Sequence, residues 1–99
     1  MYTEIENLMR RAVRQRQVFY SGHSLDEMLA ENFSKKDVVH CLLTGAIIED
    51  QYDEQREQMK YIWSGEARDG RELMLVTRLT RFNGVFVITV FWATLMDYE

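Results

Sequence analysis

The sequence contains no proline, a single cysteine and only five glycines in 99 residues, and each scarcity narrows the reading. Without proline, nothing forbids strand pairing at any position. Cys41 cannot close an internal disulfide, and one thiol with two histidines is too few for a structural zinc site. A reducing cytoplasm is the default compartment. No apolar run approaches the ~20 residues that span a bilayer, and Met1-Tyr2-Thr3-Glu4-Ile5-Glu6 lacks the basic start and apolar core of a secretory signal. No membrane association is expected. A glycine-rich phosphate loop and metal-ligand spacing are both missing, so neither cofactor nor metal is expected. Cations are in deficit too: twelve Lys and Arg against sixteen Asp and Glu give a formal net charge of -4. Any anion site must therefore be a local cluster.

What is present is the balance of an ordinary globular protein, 46% hydrophobic and 28% charged, in a length that fits one domain over residues 1–99. Ile5, Leu8, Met9, Ala12 and Val13 follow the 3.6-residue period and predict an amphipathic helix over 3–16, with Arg10 and Arg14 sharing a face. Val18-Phe19-Tyr20 is short, bulky and apolar. Ser21-Gly22-His23-Ser24 then breaks the pattern. A second helix is expected to start near Ser24, where Ser24 and Glu27 have the spacing of a capping box, and to close at Phe33. Ser34 offers the N-cap of a third helix, Val38, Val39, Leu42 and Leu43 its buried stripe, and Gly45 its left-handed terminator.

Beyond Gly45 the chemistry changes. Ala46-Ile47-Ile48 begins a strand and runs into a stretch of turn character, Glu49 to Glu57, with five acids and only Arg56 as a cation. Residues 59–63 alternate, 73–79 are bounded by Asp69-Gly70 and Asn83-Gly84, and Val85 to Trp92 is almost continuously apolar. The last three strands are expected to form an antiparallel meander with 85–92 central. Helices first and strands after predict an α+β fold, with N-terminal helices packed on one face of a four-stranded antiparallel sheet.

Among reactive side chains, His23 sits beside a glycine near a helix N-terminus, and an imidazole of ordinary pKa near 6.5 can take a proton at neutral pH. It could equally bridge the helix start to the preceding strand. If Leu73, Leu75, Thr77 and Leu79 face the helices, Arg78 faces the open side of the sheet, where its guanidinium fork suits a phosphate; a guard charge on a strand is the plainer use. Tyr61, Trp63, Phe91 and Trp92 could stack on bases, although core packing explains most of them. His40 reads as a helix-surface residue. Cys41 has neither a helix start nor a base beside it and does not qualify as a nucleophile.

Phe19-Tyr-Ser-Gly-His23-Ser-Leu-Asp-Glu-Met28, Phe33-Ser-Lys-Lys-Asp-Val38, Leu43-Thr-Gly-Ala-Ile-Ile-Glu-Asp50, Asp69-Gly-Arg-Glu-Leu73 and Val87-Ile-Thr-Val-Phe91 fall in order along 18–92. Together they resemble an uncharacterised small bacterial domain family of the RelE/BrnT-like toxin superfamily, whose members often lie beside genes for zinc-finger antitoxins. The resemblance implies a RelE-like fold and a metal-independent ribonuclease in a toxin-antitoxin pair. In that setting His23 is the general base on a ribose 2′-hydroxyl, Arg78 stabilises charge on the phosphate, and Thr89 or Tyr61 holds it. Many members carry arginine where Glu27 stands, and a carboxylate there would repel phosphate while raising the basicity of a nearby imidazole.

The expected partners are an RNA substrate bound on a basic surface of Arg10, Arg14 and Arg78, and an antitoxin or a second copy. The apolar load of 85–92 and of Ala93-Thr94-Leu95-Met96 motivates the protein partner. The alternative is a non-catalytic interaction or regulatory module of the same fold.

Overall fold

Met9 and Ala12, one turn apart, are buried, and the stripe they define turns the first helix onto the rest of the chain. The computed structural model describes residues 1–93. It contains α1 (Thr3–Arg14), β1 (Val18–Tyr20), α2 (Gly22–Glu31), α3 (Lys35–Thr44), β2 (Ala46–Asp53), β3 (Gln58–Glu66), β4 (Glu72–Leu79) and β5 (Val85–Trp92). The fold is α+β, as expected, but the sheet has five strands in the order β1-β5-β4-β3-β2. The additional strand is Val18–Tyr20, which pairs parallel to β5 with Val18 opposite Val85. Three residues are too few to show an alternation, and their partner is remote in sequence, so composition could not reveal the pairing.

The β3-β4-β5 meander forms as expected, all antiparallel, with β4 in the middle of the sheet rather than β5. The acidic stretch after Ile48 is strand up to Asp53, paired antiparallel with β3 in a register ending at Asp53 opposite Gln58. Its solvated side chains mask its pattern. Leu73, Leu75 and Thr77 on β4, Trp63 on β3, and Val85, Val87 and Val90 on β5 are buried with Val38, Leu42 and Met9 of the helices. Burying each aliphatic side chain of this kind is worth about 1.5–3 kcal/mol.

Helix boundaries differ from expectation in two instructive places. Ser21, not Ser24, is the N-cap of α2: its side chain accepts the Ser24 N–H, and the helix begins at Gly22. Ser24 is buried and donates its hydroxyl to the Ser21 carbonyl, which leaves Glu27 uninvolved in capping. Gly45 is extended at φ -91° rather than left-handed. Crowding demands the glycine, since a Cβ there would lie 2.8 Å from the Cys41 carbonyl and 2.9 Å from Gly65 Cα. Asn32 supplies the left-handed terminus instead, at φ 61°, and Ser34 with Asp37 forms the capping box of α3.

The apolar surplus expected to demand a partner is largely covered within the chain. Val85, Val87, Val90 and Ala93 are buried, β1 shields the start of β5, and Trp92 packs on Phe33 with ring centroids 3.8 Å apart. Thr94, Leu95 and Met96 lie outside the described residues. Among those described, no helix is long and apolar enough to cross a membrane.

Candidate functional site

The alternation that buries Leu73, Leu75 and Thr77 places Met74, Val76 and Arg78 on the opposite face of β4. Arg78 lies across from Phe86 on β5, its guanidinium carbon 4.6 Å from the ring centroid. On the other side, Tyr61 opposes Thr77, so the neighbouring Lys60 shares the face of Arg78. A bulge interrupts the next step of the ladder: Val76 opposes Thr89 while Thr77 opposes Val87, and Ile88 is the inserted residue. Bulges re-aim side chains and release backbone groups from the ladder. Here the Ile88 carbonyl accepts the Ser21 hydroxyl at 2.8 Å, and the Ser21 N–H donates to the Val87 carbonyl at 3.0 Å. Ser21 thus joins the first turn of α2 to β5 and brings His23 to the rim of the open face.

The result is a cleft of about 410 Å³ lined by Ser21, His23, Asp53, Arg56, Lys60, Arg78, Phe86 and Ile88, with Gln55 at its margin. Asp53 faces Arg56 at 3.8 Å, while Lys60 and Arg78 have no carboxylate within 4.0 Å among the described residues. Arg78 Nε is buried without a hydrogen-bond partner among the described residues. An unsatisfied buried donor costs about 1–3 kcal/mol, more when charged, and a guanidinium beside a second cation is satisfied by a carboxylate or phosphate. In a protein of net charge -4, this is the local cluster that anion binding requires.

At the rim, His23 Nε2 is 3.2 Å from Glu27 Oε2, and its side chain is 69% exposed. The other carboxylate oxygen accepts the Val90 N–H at 3.0 Å. Glu27 does not line the cleft itself; its carboxylate reaches the cleft through the imidazole it holds.

The remaining sequence candidates separate. Thr89 opposes Val76 and does not line the cleft. Tyr61 packs toward the helices, in an edge contact with Tyr2 at 6.3 Å. Arg10 donates to the Leu42 and Gly45 carbonyls at the end of α3 and lies over Trp63, a cation at the negative end of a helix. Arg14 is exposed in the last turn of α1. Arg10 and Arg78 stand on opposite faces of the sheet, so the single basic surface expected of Arg10, Arg14 and Arg78 does not form. Trp63 is wholly buried. Burial pushes the Cys41 thiol up to about 12, keeping it protonated and unreactive. Among the described residues, no three His, Cys, Asp or Glu side chains gather to hold a metal ion.

Lys60, Arg56, Phe86 and Ser21 were not anticipated. Lys60 could have been found from the Tyr61–Thr77 register, which requires knowing the pairing. Ser21 stands three residues before Ser24, the N-cap spacing, but the Ser24–Glu27 pair matches the capping-box pattern better.

Fold and cleft together define a small α+β domain with a basic cleft where a helix N-terminus meets a bulged strand. The chain belongs to the family described as Domain of unknown function (DUF4258), which matches residues 20–92. The match takes in every cleft-lining residue and leaves α1 outside. No curated protein and no solved structure matches the chain.

Proposed function

We propose that the cleft cleaves single-stranded RNA without a metal ion, as the toxin of a toxin-antitoxin pair. The observation that supports this best is the meeting of His23, from α2, with the unsatisfied Arg78, from β4, and Lys60 in one cleft. Its volume lies in the ~300–1,000 Å³ range of small-ligand sites and suits one nucleotide. Phe86 and Ile88 give it an apolar wall for a ribose or base.

In this reading His23 accepts the 2′-hydroxyl proton through Nδ1, the nitrogen not turned to Glu27. The 2′-oxygen then attacks phosphorus. The P–O5′ bond breaks, and the departing 5′-oxygen takes a proton from solvent. Arg78 and Lys60 hold the non-bridging oxygens as charge builds on them. The products are a 2′,3′-cyclic phosphate and a 5′-hydroxyl.

A non-catalytic interaction module is favoured by a different observation: Leu25 and Leu29, one turn apart on α2, are 41% and 84% exposed. Incubating the full chain with a labelled mixed-sequence single strand in chelator separates the two. Cyclic-phosphate products, lost in Arg78→Ala and Lys60→Ala, support the nuclease. An intact strand with the wild-type protein, in chelator and equally with added magnesium, overturns it.

A further inference from the structure

We propose that Glu27 is the positioning residue of the cleft's histidine, fixing which imidazole nitrogen carries the proton. This deepens the ribonuclease reading and rests on it for the role of His23 as base. The argument begins at the strand edge. β1 pairs with β5 only as far as Tyr20 opposite Val87, so the Val90 N–H beyond it has no strand partner on that side and needs another acceptor. Glu27 Oε1 fills that need at 3.0 Å.

With one oxygen tied to the backbone, the other is held 3.2 Å from His23 Nε2, four residues back along the same helix. A carboxylate only accepts hydrogen bonds. The negative charge at this distance favours a proton on Nε2 over a lone pair there, and in the neutral ring that leaves the lone pair on Nδ1. Among the described residues, Glu27 is the polar side chain that holds the imidazole. Carboxylate geometry set by a strand thus passes to a base set on a helix. The sequence alone casts Glu27 as a helix cap; the geometry makes it a bridge between β5 and His23 instead.

Glu27→Gln is the incisive variant. Its amide oxygen can still accept the Val90 N–H, but the group then facing His23 is a donor. A donor requires a lone pair on Nε2, which moves the proton to Nδ1 and removes the base. In mildly alkaline solution, nitrogen-15 spectra of the full chain labelled at histidine should show His23 as the Nε2–H tautomer. In Glu27→Gln they should show the Nδ1–H tautomer, with His40 unchanged as internal reference and Val90 amide protection retained as the check on folding.

On RNA, Glu27→Gln should lower kcat about a hundredfold, the lower end of what a positioned general base contributes, with KM within about twofold. Glu27→Asp, one methylene short of holding both partners, should fall between the two in tautomer ratio and in kcat. The same tautomer in wild type and Glu27→Gln overturns the proposal whatever the activity, as does a Glu27→Gln kcat equal to wild type. If the tautomer switches but the wild-type chain cleaves no RNA, the positioning role is upheld and the ribonuclease reading falls.

Discussion

Two glutamates perform the same backbone task at different strands and reach different ends. Glu6 of α1 accepts the Ile47 N–H of β2 at 2.9 Å, beside the bulge in that strand, and Glu27 of α2 accepts the Val90 N–H of β5 at 3.0 Å. Each has a basic neighbour four residues away on its own helix, Arg10 and His23. Arg10 is tied down: two carbonyls and an indole ring hold its guanidinium, and its side chain is 25% exposed. His23 has one partner among the described residues and lines a cleft. The local device is common to both. What separates a structural lock from a candidate catalytic base is whether the second partner is already satisfied.

The largest expected effect tests that separation directly. His23→Ala should lower kcat for RNA cleavage by about 100- to 10,000-fold and leave the unfolding free energy, measured in urea, within the ~0.5 kcal/mol typical of surface changes. Arg10→Ala should do the reverse. It loses hydrogen bonds from a charged donor, a loss of about 2 kcal/mol, while kcat per folded molecule stays at the wild-type value. Arg10→Lys should recover only part of that stability, because an ammonium cannot reproduce the fork that reaches two carbonyls. Comparable loss of kcat in both alanine variants would erase the distinction.

A smaller effect tests what the two sites share. Glu6→Ala and Glu27→Ala each leave one strand N–H without its acceptor, and with the truncated side chain making room for water the cost is near the lower end of the range, about 1 kcal/mol apiece. Urea denaturation should show the two variants alike in stability and unlike in cleavage, with only Glu27→Ala impaired. A Glu6→Ala chain as stable as wild type would show that solvent replaces the carboxylate at β2.

This contrast also marks what could be read from the sequence. The three helices were legible because periodic apolar residues and serine caps are local signals, and Ser34 caps α3 as expected, although the capping box falls there with Asp37 and not at Ser24–Glu27. The opposed orientations of Arg78 and Thr77 followed from strand alternation alone. The β1–β5 pairing, the Ile88 bulge and the Lys60–Arg78 juxtaposition depend on which distant strands meet, and no local pattern encodes that. Arg10 and Glu27 illustrate the same boundary. A charge on a predicted helix face looks solvated or functional until the neighbouring carbonyl or strand edge is in view, and only then does Arg10 become a tether and Glu27 a bridge.

The smallest effect concerns a third carboxylate, Asp37, which differs from both glutamates in how many donors converge on it. The backbone N–H and hydroxyl of Ser34 and the backbone N–H and Nε of Arg68 all reach it, at 3.0–3.2 Å. Desolvation raises its pKa, but these hydrogen bonds outweigh desolvation and hold it at about 2, below its ordinary 3.8. A folded-state pKa below the unfolded one means that folding favours the ionised form. The contribution to stability is then complete above about pH 4 and is lost progressively as pH falls through about 2. Urea midpoints measured from pH 5 down to pH 2 should therefore decline more steeply in wild type than in Asp37→Asn, whose amide does not ionise. The Arg68→Ala chain should fall between them, since it keeps the Arg68 backbone N–H and both Ser34 donors and loses only the guanidinium. Parallel slopes for wild type and Asp37→Asn across this window would show that the converging donors do not distinguish Asp37 from the glutamates at the strand edges.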